Sequence, residues 1–386
     1  MNGSQTSVPP FESQTEFTLA DIPKLYVVLV NFNGHTNTIE TIESLAKQTY
    51  KNFQVAIVDN NTPASLQIIR DWADGKSTPE FSPPDEIKQF SFPLCEKPIP
   101  YIEYEIAEAE EGGNPEKETA IGLTQGNPST DLNFLRYPLI MIQARSDIGF
   151  AGGNNVGARY ALTKGDADYV WLLNNDTTLD FDALQSLILK DLEFQSRDEK
   201  IGIIGSKLRW YRWPNKINAI GGKFNKWTTW SYHLGLKEDD KGQYDNDDVK
   251  FDYVYGASLF IRKEFLEDVG LMNEAFYAYF EEMDWEVRGV RKGWKHGYAH
   301  KSIIYHKQGV TTGKEIKAKR RPLFFMCCKY RGWMLFYQLY YPALIFAPVI
   351  RLLLKSVKNI TEGNWKESLL IIKILFGKRT CTRDMN

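Results

Sequence analysis

The residues from Leu25 to Val30, LYVVLV, form a short and unbroken apolar run rich in β-branched side chains. A run of that length and composition predicts a strand buried on both faces, as in a parallel sheet. The polar-glycine stretch Asn31-Phe32-Asn33-Gly34 ends it, and from Thr38 to Ala46 the apolar residues Ile39, Ile42 and Leu45 recur at helical spacing. FQVAIVDNN (Phe53–Asn61) predicts a second buried strand, completing a β-α-β unit. Between Asp71 and Tyr137 the pattern weakens and Pro, Gly and Glu accumulate, so residues 71–137 read as an insertion of irregular structure. Strand character returns in PLIMIQA (Pro138–Ala144). A glycine-rich stretch, DIGFAGGNNVG, and a helix through Leu162 follow, and YVWLLNND (Tyr169–Asp176) predicts another strand ending in polar residues. Ligands of open parallel α/β sheets sit beyond the carboxyl ends of the strands, so the polar ends at Asn31/Asn33, Asp59 and Asn174–Asp176 are expected to share one site.

Composition narrows the class. At 386 residues, with 43% hydrophobic and 25% charged positions, the chain is that of a globular protein with a sizeable core. The formal charge of −2 hides an asymmetry, because from Thr311 onward 15 Lys/Arg stand against 4 Asp/Glu. That basic tail is interleaved with long apolar runs, which points to an anionic membrane surface rather than to nucleic acid. The four cysteines show no CxxC pair and no His at zinc-ligand spacing, so neither a disulfide nor a structural zinc is expected. The first twenty residues are polar and carry no basic-then-apolar segment, which predicts a site facing a reducing cytoplasm.

Several residues carry candidate chemistry. The glycines at 149, 152, 153 and 157 do not match the GxGxxG spacing, which removes the main support for a nicotinamide-dependent oxidoreductase. Asp59, ending a strand, can accept the imide N–H of a pyrimidine or cap the following helix, and from this residue alone the cap is preferred. Asp176, after Asn174 and Asn175, offers hard oxygen for Mg²⁺ or Mn²⁺ but also suits a turn. His306, one of five histidines, can complete a coordination sphere begun by Asp176 or be structural. In YFEEMDWEVR (Tyr279–Arg288), Glu281, Glu282 and Asp284 follow a run of aromatics. A helix start favours acids there, and Asp284 and Arg288 are spaced for a surface pair. The aromatics remain unexplained by either, and apolar neighbours raise a carboxylate's pKa as a general base requires.

The motifs taken in order are VVLVNFNG, TIESLAKQTYKNFQVAIVDNNT, DIGFAGGNNVGARYAL, WLLNND, YGASLFIRKEFLEDVGLMNEAFYAYFEEMDWEVR and IIYHKQGVTTG. This series resembles glycosyltransferase family 2, especially its bacterial rhamnosyltransferase-like members. The resemblance implies a GT-A type, Rossmann-like α/β domain with a mostly parallel sheet. It also implies a dTDP- or UDP-sugar donor (rhamnose among the candidates), Mg²⁺ or Mn²⁺, and inversion at the anomeric carbon. By position it places Asn31, Asn33 and Asp59 at the nucleotide, with Asp147, Gly152, Gly153 and Asn155 as a loop beneath the nucleoside. Asn174-Asn175-Asp176 is similar to a DxD element whose first acid is missing, which leaves the metal to Asp176 and His306. Glu282 stands where the base is expected, with Asp284 as the alternative and Glu281 beside them. The two departures also suit a binding or scaffold protein without turnover. A sugar nucleotidyltransferase would need a basic glycine-rich loop after the first strand, which NFNGHTNT lacks.

WMLFYQLYYPALIFAPVI (Trp333–Ile350) holds one strongly polar residue, Gln338, within 18 positions, and two prolines. It is expected to lie at a membrane interface rather than to cross it cleanly. The organisation anticipated is a flexible arm over 1–22, a catalytic domain over 23–312 and a helical, membrane-associating region over 313–386. The protein would be peripheral at the inner face of the cell membrane, acting on a polysaccharide or lipid-linked saccharide of the cell envelope. Trp227, Trp230 and Trp285 are candidates for an acceptor wall.

Overall fold

The computed structural model describes residues 22–123, 135–308, 322–377 and Cys381. Most of the predicted N-terminal arm and residues 309–313 of the last motif lie outside that range. The chain begins with β1 (Leu25–Asn31), α1 (His35–Ala46), β2 (Phe53–Asn60) and α2 (Pro63–Ala73). The stretch read as irregular then supplies β3 (Tyr101–Glu105), α3 (Ile106–Glu110) and α4 (Pro115–Leu123). Next come β4 (Leu139–Ala144), α5 (Gly149–Lys164), β5 (Tyr169–Leu173), β6 (Thr177–Leu179) and α6 (Ala183–Ser196). The second half holds β7 (Ile201–Trp210), β8 (Ile217–Ala219), β9 (Gly222–Asn225), β10 (Trp230–His233), β11 (Ser258–Arg262), α7 (Lys263–Val269), α8 (Glu281–Arg291) and β12 (Lys295–His306). Three helices close the described chain: α9 (Leu323–Tyr340), α10 (Phe346–Thr361) and α11 (Trp365–Leu375).

The main sheet runs β3-β4-β2-β1-β5-β11-β7-β12-β6, with β8 paired to β7. Its first five strands are parallel, so the carboxyl ends of β1, β2 and β5 emerge along one edge. Beyond them β11 is antiparallel to both neighbours, β12 is parallel to β7, and β6 is antiparallel to β12. Successive residues of β1 serve opposite faces, as a pleated strand requires: Val27 and Leu29 join the core under α1 and α2, and Tyr26 and Val28 the core under α5. The insertion is therefore structural, because β3 extends the sheet beside β4 and α3 packs on α5.

The glycine-rich stretch is helix, not loop. A Cβ on Gly153 would lie 2.9 Å from a Val30 methyl, and one on Gly157 would lie 2.3 Å from a Val28 methyl. These glycines let α5 lie directly on β1.

The long apolar segment near the C-terminus is divided. Helix α9 ends at Tyr340, a short turn at Pro342–Leu344 follows, and α10 starts at Phe346. Trp333, Phe336 and Tyr337 are buried against Phe276 and Tyr253 of the sheet domain. Among the described residues, no helix is long and apolar enough to cross a membrane. Cys327 and Cys381 form a disulfide across 54 residues, contrary to the expectation drawn from cysteine spacing. Spacing along the chain is silent about two cysteines brought together by the return of α10 and α11.

Overpacking the contact between α5 and β1 should be costly. Gly157→Val is expected to destabilise the fold by about 3 kcal/mol, read as a lower denaturation midpoint in urea, despite the better helix propensity of the replacement.

Candidate functional site

The carboxyl ends of the strands open into a cavity of about 400 Å³, within the range of small-ligand sites. Asn174, Asn175, Asp176 and His306 form one part of its wall, and Tyr279, Phe280, Glu281 and Glu282 another.

Strand register accounts for the first part. β12 runs antiparallel to β6 with His306 opposite Thr177, and Lys307 N donates to Asp176 O at 2.9 Å. The His306 ring is thereby held against the neighbouring acid, with Nε2 3.2 Å from Asp176 Oδ1. Burial alone would push the Asp176 carboxyl up, but the His306 imidazole and the Lys307 ammonium outweigh it and hold the group below its ordinary range. On the far side of the ring, His306 Nδ1 lies 3.2 Å from Asn218 Oδ1, Asn218 Nδ2 donates to Gln308 Oε1 at 3.3 Å, and Gln308 Nε2 donates to Tyr255 Oη at 2.9 Å. With the amides in that sense His306 donates through Nδ1 and turns Nε2 toward the carboxylate. Such a juxtaposition is favourable only with a proton or a metal cation between the two.

The second part answers why acids follow aromatics. Tyr279 and Phe280 both adopt φ of +73°, two consecutive left-handed residues without glycine's freedom. Packing holds them there. Phe276 is 1% exposed, the Phe280 ring lies 5.6 Å from that of Phe336, and a Cβ on Gly332 of α9 would come within 2.8 Å of Tyr279 O. From the other side Phe150 N donates to Tyr277 O at 2.9 Å, where Gly149 has no Cβ to clash with the Tyr277 ring. The turn delivers Glu281 and Glu282 as the first residues of α8, facing the cavity. Burial and the charge of Glu282 raise Glu281 well above the carboxylate range. Burial raises Glu282 too, offset in part by backbone N–H groups at the helix start and by a hydrogen bond from Glu281. Oε2 of each has no hydrogen-bond partner among the described residues.

Other candidates are turned elsewhere. Asp284 is 1% exposed and accepts from Arg288 Nε at 2.9 Å and Tyr340 Oη at 2.6 Å, away from the cavity. Both oxygens of Asp59 are occupied: Oδ1 accepts from Asn31 Nδ2 at 2.7 Å and from Thr62 Oγ1, and Oδ2 from Thr62 N at 2.7 Å. Asp59 and Asn31 thus shape the entry to α2. Asn155 exchanges hydrogen bonds with the backbone of Met272, and Gly152 and Gly153 lie buried within α5. Asn33 and Asp147 line a hollow that shares Phe32 with the main cavity, and Asp147 accepts from Asn60 at 2.9 Å. Trp285 is core, and Trp227 and Trp230 stand exposed on the β9–β10 hairpin. The sequence reading missed Asn60, His233, Gln308, Phe325 and Lys329, all in the cavity wall, and Asn218 behind it. Of these only Gln308 had a signal, through its place in the His306 motif.

Comparison with known proteins bears on this arrangement. The profile described as Glycosyl transferase family 2 matches residues 26–82, from β1 past α2. A curated relative, the low-salt glycan biosynthesis hexosyltransferase Agl10 of Haloferax volcanii, is 26% identical over 174 residues, covering 44% of this chain and 52% of its own length. Over residues 26–82 the chain is thus similar to glycosyltransferase family 2. It spans about half the length of that relative. Similar solved structures include S. aureus TarS 1-349, at 11% identity and TM-score 0.41 over 92% of each chain. Another is the mannosyltransferase PcManGT of Pyrobaculum calidifontis, at 10% identity and TM-score 0.44 over 92% of this chain and 75% of that one. At those scores neither likeness carries weight below. The mixed α/β architecture, with its mostly parallel sheet and helical C-terminal region, is of the class that the sequence resemblance implied.

The two acids of α8 should behave oppositely on mutation. Asp284→Asn, which removes the buried charge that Arg288 Nε and Tyr340 Oη both donate to, is expected to cost about 3 kcal/mol of stability by chemical denaturation. Glu282→Gln removes a charge that burial disfavours and should leave stability unchanged or higher.

Proposed function

We propose that this chain is an inverting family 2 glycosyltransferase, moving a sugar from a nucleoside diphosphate to a hydroxyl of a saccharide or lipid-linked saccharide acceptor. The observation that supports this reading is one cavity whose lining includes both Asp176 with His306 and Glu281 with Glu282. The first pair suits a leaving diphosphate and the second suits a nucleophile's proton. Glu282, raised yet still the more acidic of its pair, accepts the proton of the acceptor hydroxyl as that oxygen attacks the anomeric carbon. Attack from the side opposite the diphosphate inverts the centre. Glu281 keeps its own proton and steadies the neighbouring carboxylate through it. The donor nucleotide, a UDP or dTDP unit, is assigned to the ends of β1 and β2, where Asn33, Asn61, Thr62 and Asp147 line the adjoining hollow.

Asp176 and His306 fit a divalent cation, since they pair a hard oxygen with a borderline nitrogen and Asn218 orients the imidazole from behind. They are two donors only, as no cluster of three or more His, Cys, Asp or Glu ligands occurs among the described residues. When bound there, Mg²⁺ or Mn²⁺ supplies positive charge against the departing diphosphate. Lys329, on the cavity wall, brings a further cation from α9.

A screen of nucleotide-sugars by calorimetry, with and without Mn²⁺, tests the donor half. Asp176→Ala and His306→Ala are expected to abolish the Mn²⁺-dependent gain in affinity. Equal gain in the variants would refute the assignment, and binding without transfer to any acceptor would favour a non-catalytic binding protein. For the acceptor half, Glu282→Gln should lower kcat by roughly 10²-fold or more at unchanged donor affinity. The rate should fall on the acid side as Glu282 takes up its proton, at a pH above the ordinary glutamate range. Replacing Glu281 with Leu removes the hydrogen bond that lowers Glu282 and should move that limb to higher pH, whereas Glu281→Gln, which still donates, should hold it in place.

A further inference from the structure

Helix α10 exposes apolar residues that a soluble surface does not need. Phe346, Ile350, Leu353, Leu354 and Val357 recur along one stripe, with Leu354 66% and Val357 61% exposed. The other side of the helix is buried through Leu352, Ser356 and Asn359, the serine hydrogen-bonding Ser368 of α11. The stripe is therefore not the face by which α10 folds onto the protein. The β9–β10 hairpin shows the same excess, with Trp227 64%, Trp230 58% and Tyr232 50% exposed. Arg351 joins the two. It donates to Thr229 O at 2.7 Å and Thr229 Oγ1 at 2.9 Å, and its guanidinium lies 4.9 Å from the Trp230 ring centroid. Strand β10 leads from this surface to the site: Ser231 and His233 line the catalytic cavity, and the alternating residues Trp230 and Tyr232 do not.

We propose that the apolar stripe of α10 and the aromatic hairpin beside it seat in the interfacial layer of an anionic bilayer, which places the cavity edge at Ser231 and His233 at the level of the lipid headgroups. Charge selects this occupant. Helices α10 and α11 carry Arg351, Lys355, Lys358, Lys366 and Lys373 against Glu362 and Glu367, so two copies of the surface repel while acidic headgroups are attracted. Tryptophan and tyrosine favour the same depth, where a ring meets hydrocarbon and its polar atom meets water. The seat in the bilayer stands on its own. Its purpose, delivery of a lipid-linked acceptor, rests on the transferase reading.

Flotation of the full chain with vesicles decides it. Binding is expected to phosphatidylcholine vesicles containing one quarter phosphatidylglycerol, and to weaken without the anionic lipid or in high salt. Leu354→Glu combined with Val357→Glu should reduce partitioning at least tenfold, and Trp227→Ala with Trp230→Ala should reduce it independently. Both pairs lie on the surface, so thermal unfolding and nucleotide-sugar affinity should match the parent protein. The proposal is overturned if the chain ignores anionic vesicles, or if the α10 pair binds them as the parent does. It fails equally if sedimentation shows a dimer that the α10 pair dissociates. Failure of the parent to bind any nucleotide-sugar would strike the transferase reading instead and leave the vesicle result standing.

Discussion

Two adjacent glutamates held out of water beside one another are an expensive arrangement, and much of the surrounding structure is organised to sustain it. Charge repulsion and lost hydration both oppose it. The chain meets the cost locally by letting Glu281 stay protonated, and globally by wedging the preceding turn between two helices. Tyr279 and Phe280 would relax from their left-handed conformations if left alone. Phe150 of α5 ties down Tyr277 just before them, and Gly332 of α9 lies directly against the Tyr279 carbonyl. The aromatic run is thus the foundation on which the acids stand.

The other part of the wall depends on topology rather than on packing. Asp176 and His306 are 130 positions apart in sequence, and they meet because β12 pairs with β6 and β7 at once. Placing β8 against β7 then brings Asn218 behind the imidazole. A one-residue slip of β12 would turn His306 to the other face of the sheet. The metal-ligating potential of the pair is in this sense a property of strand register.

What could be read from the sequence, and what could not, follows from the range of the interactions. The buried strands announced themselves as unbroken apolar runs because a parallel sheet covered on both faces leaves no polar alternation. Gly152 and Gly153 resemble part of a loop beneath the nucleoside, although the spacing of four between Gly153 and Gly157 is the signature of one helical face lying against a strand. Asp59 looked like a ligand contact or a cap, and its oxygens are spent on Asn31 and Thr62. Asp284 could be set apart from Glu282 only once Tyr340, from a helix beyond the family motifs, was seen to occupy it. Asn218 had no local signal, since it sits in a three-residue strand whose partner is chosen by the fold. The Cys327–Cys381 bond was hidden for the same reason.

Helix α9 belongs to two neighbourhoods. Phe325 and Lys329 near its start help enclose the cavity, while Trp333 and Tyr337 further along meet Arg351 and the carbonyl of Lys226 beside the aromatic hairpin. With 18 residues it is a stiff rod about 27 Å long. A tilt imposed at its outer end cannot be absorbed along its length and must reappear as a displacement of the chamber wall, so the helix is a lever by which whatever the protein rests upon can be felt where the chemistry occurs.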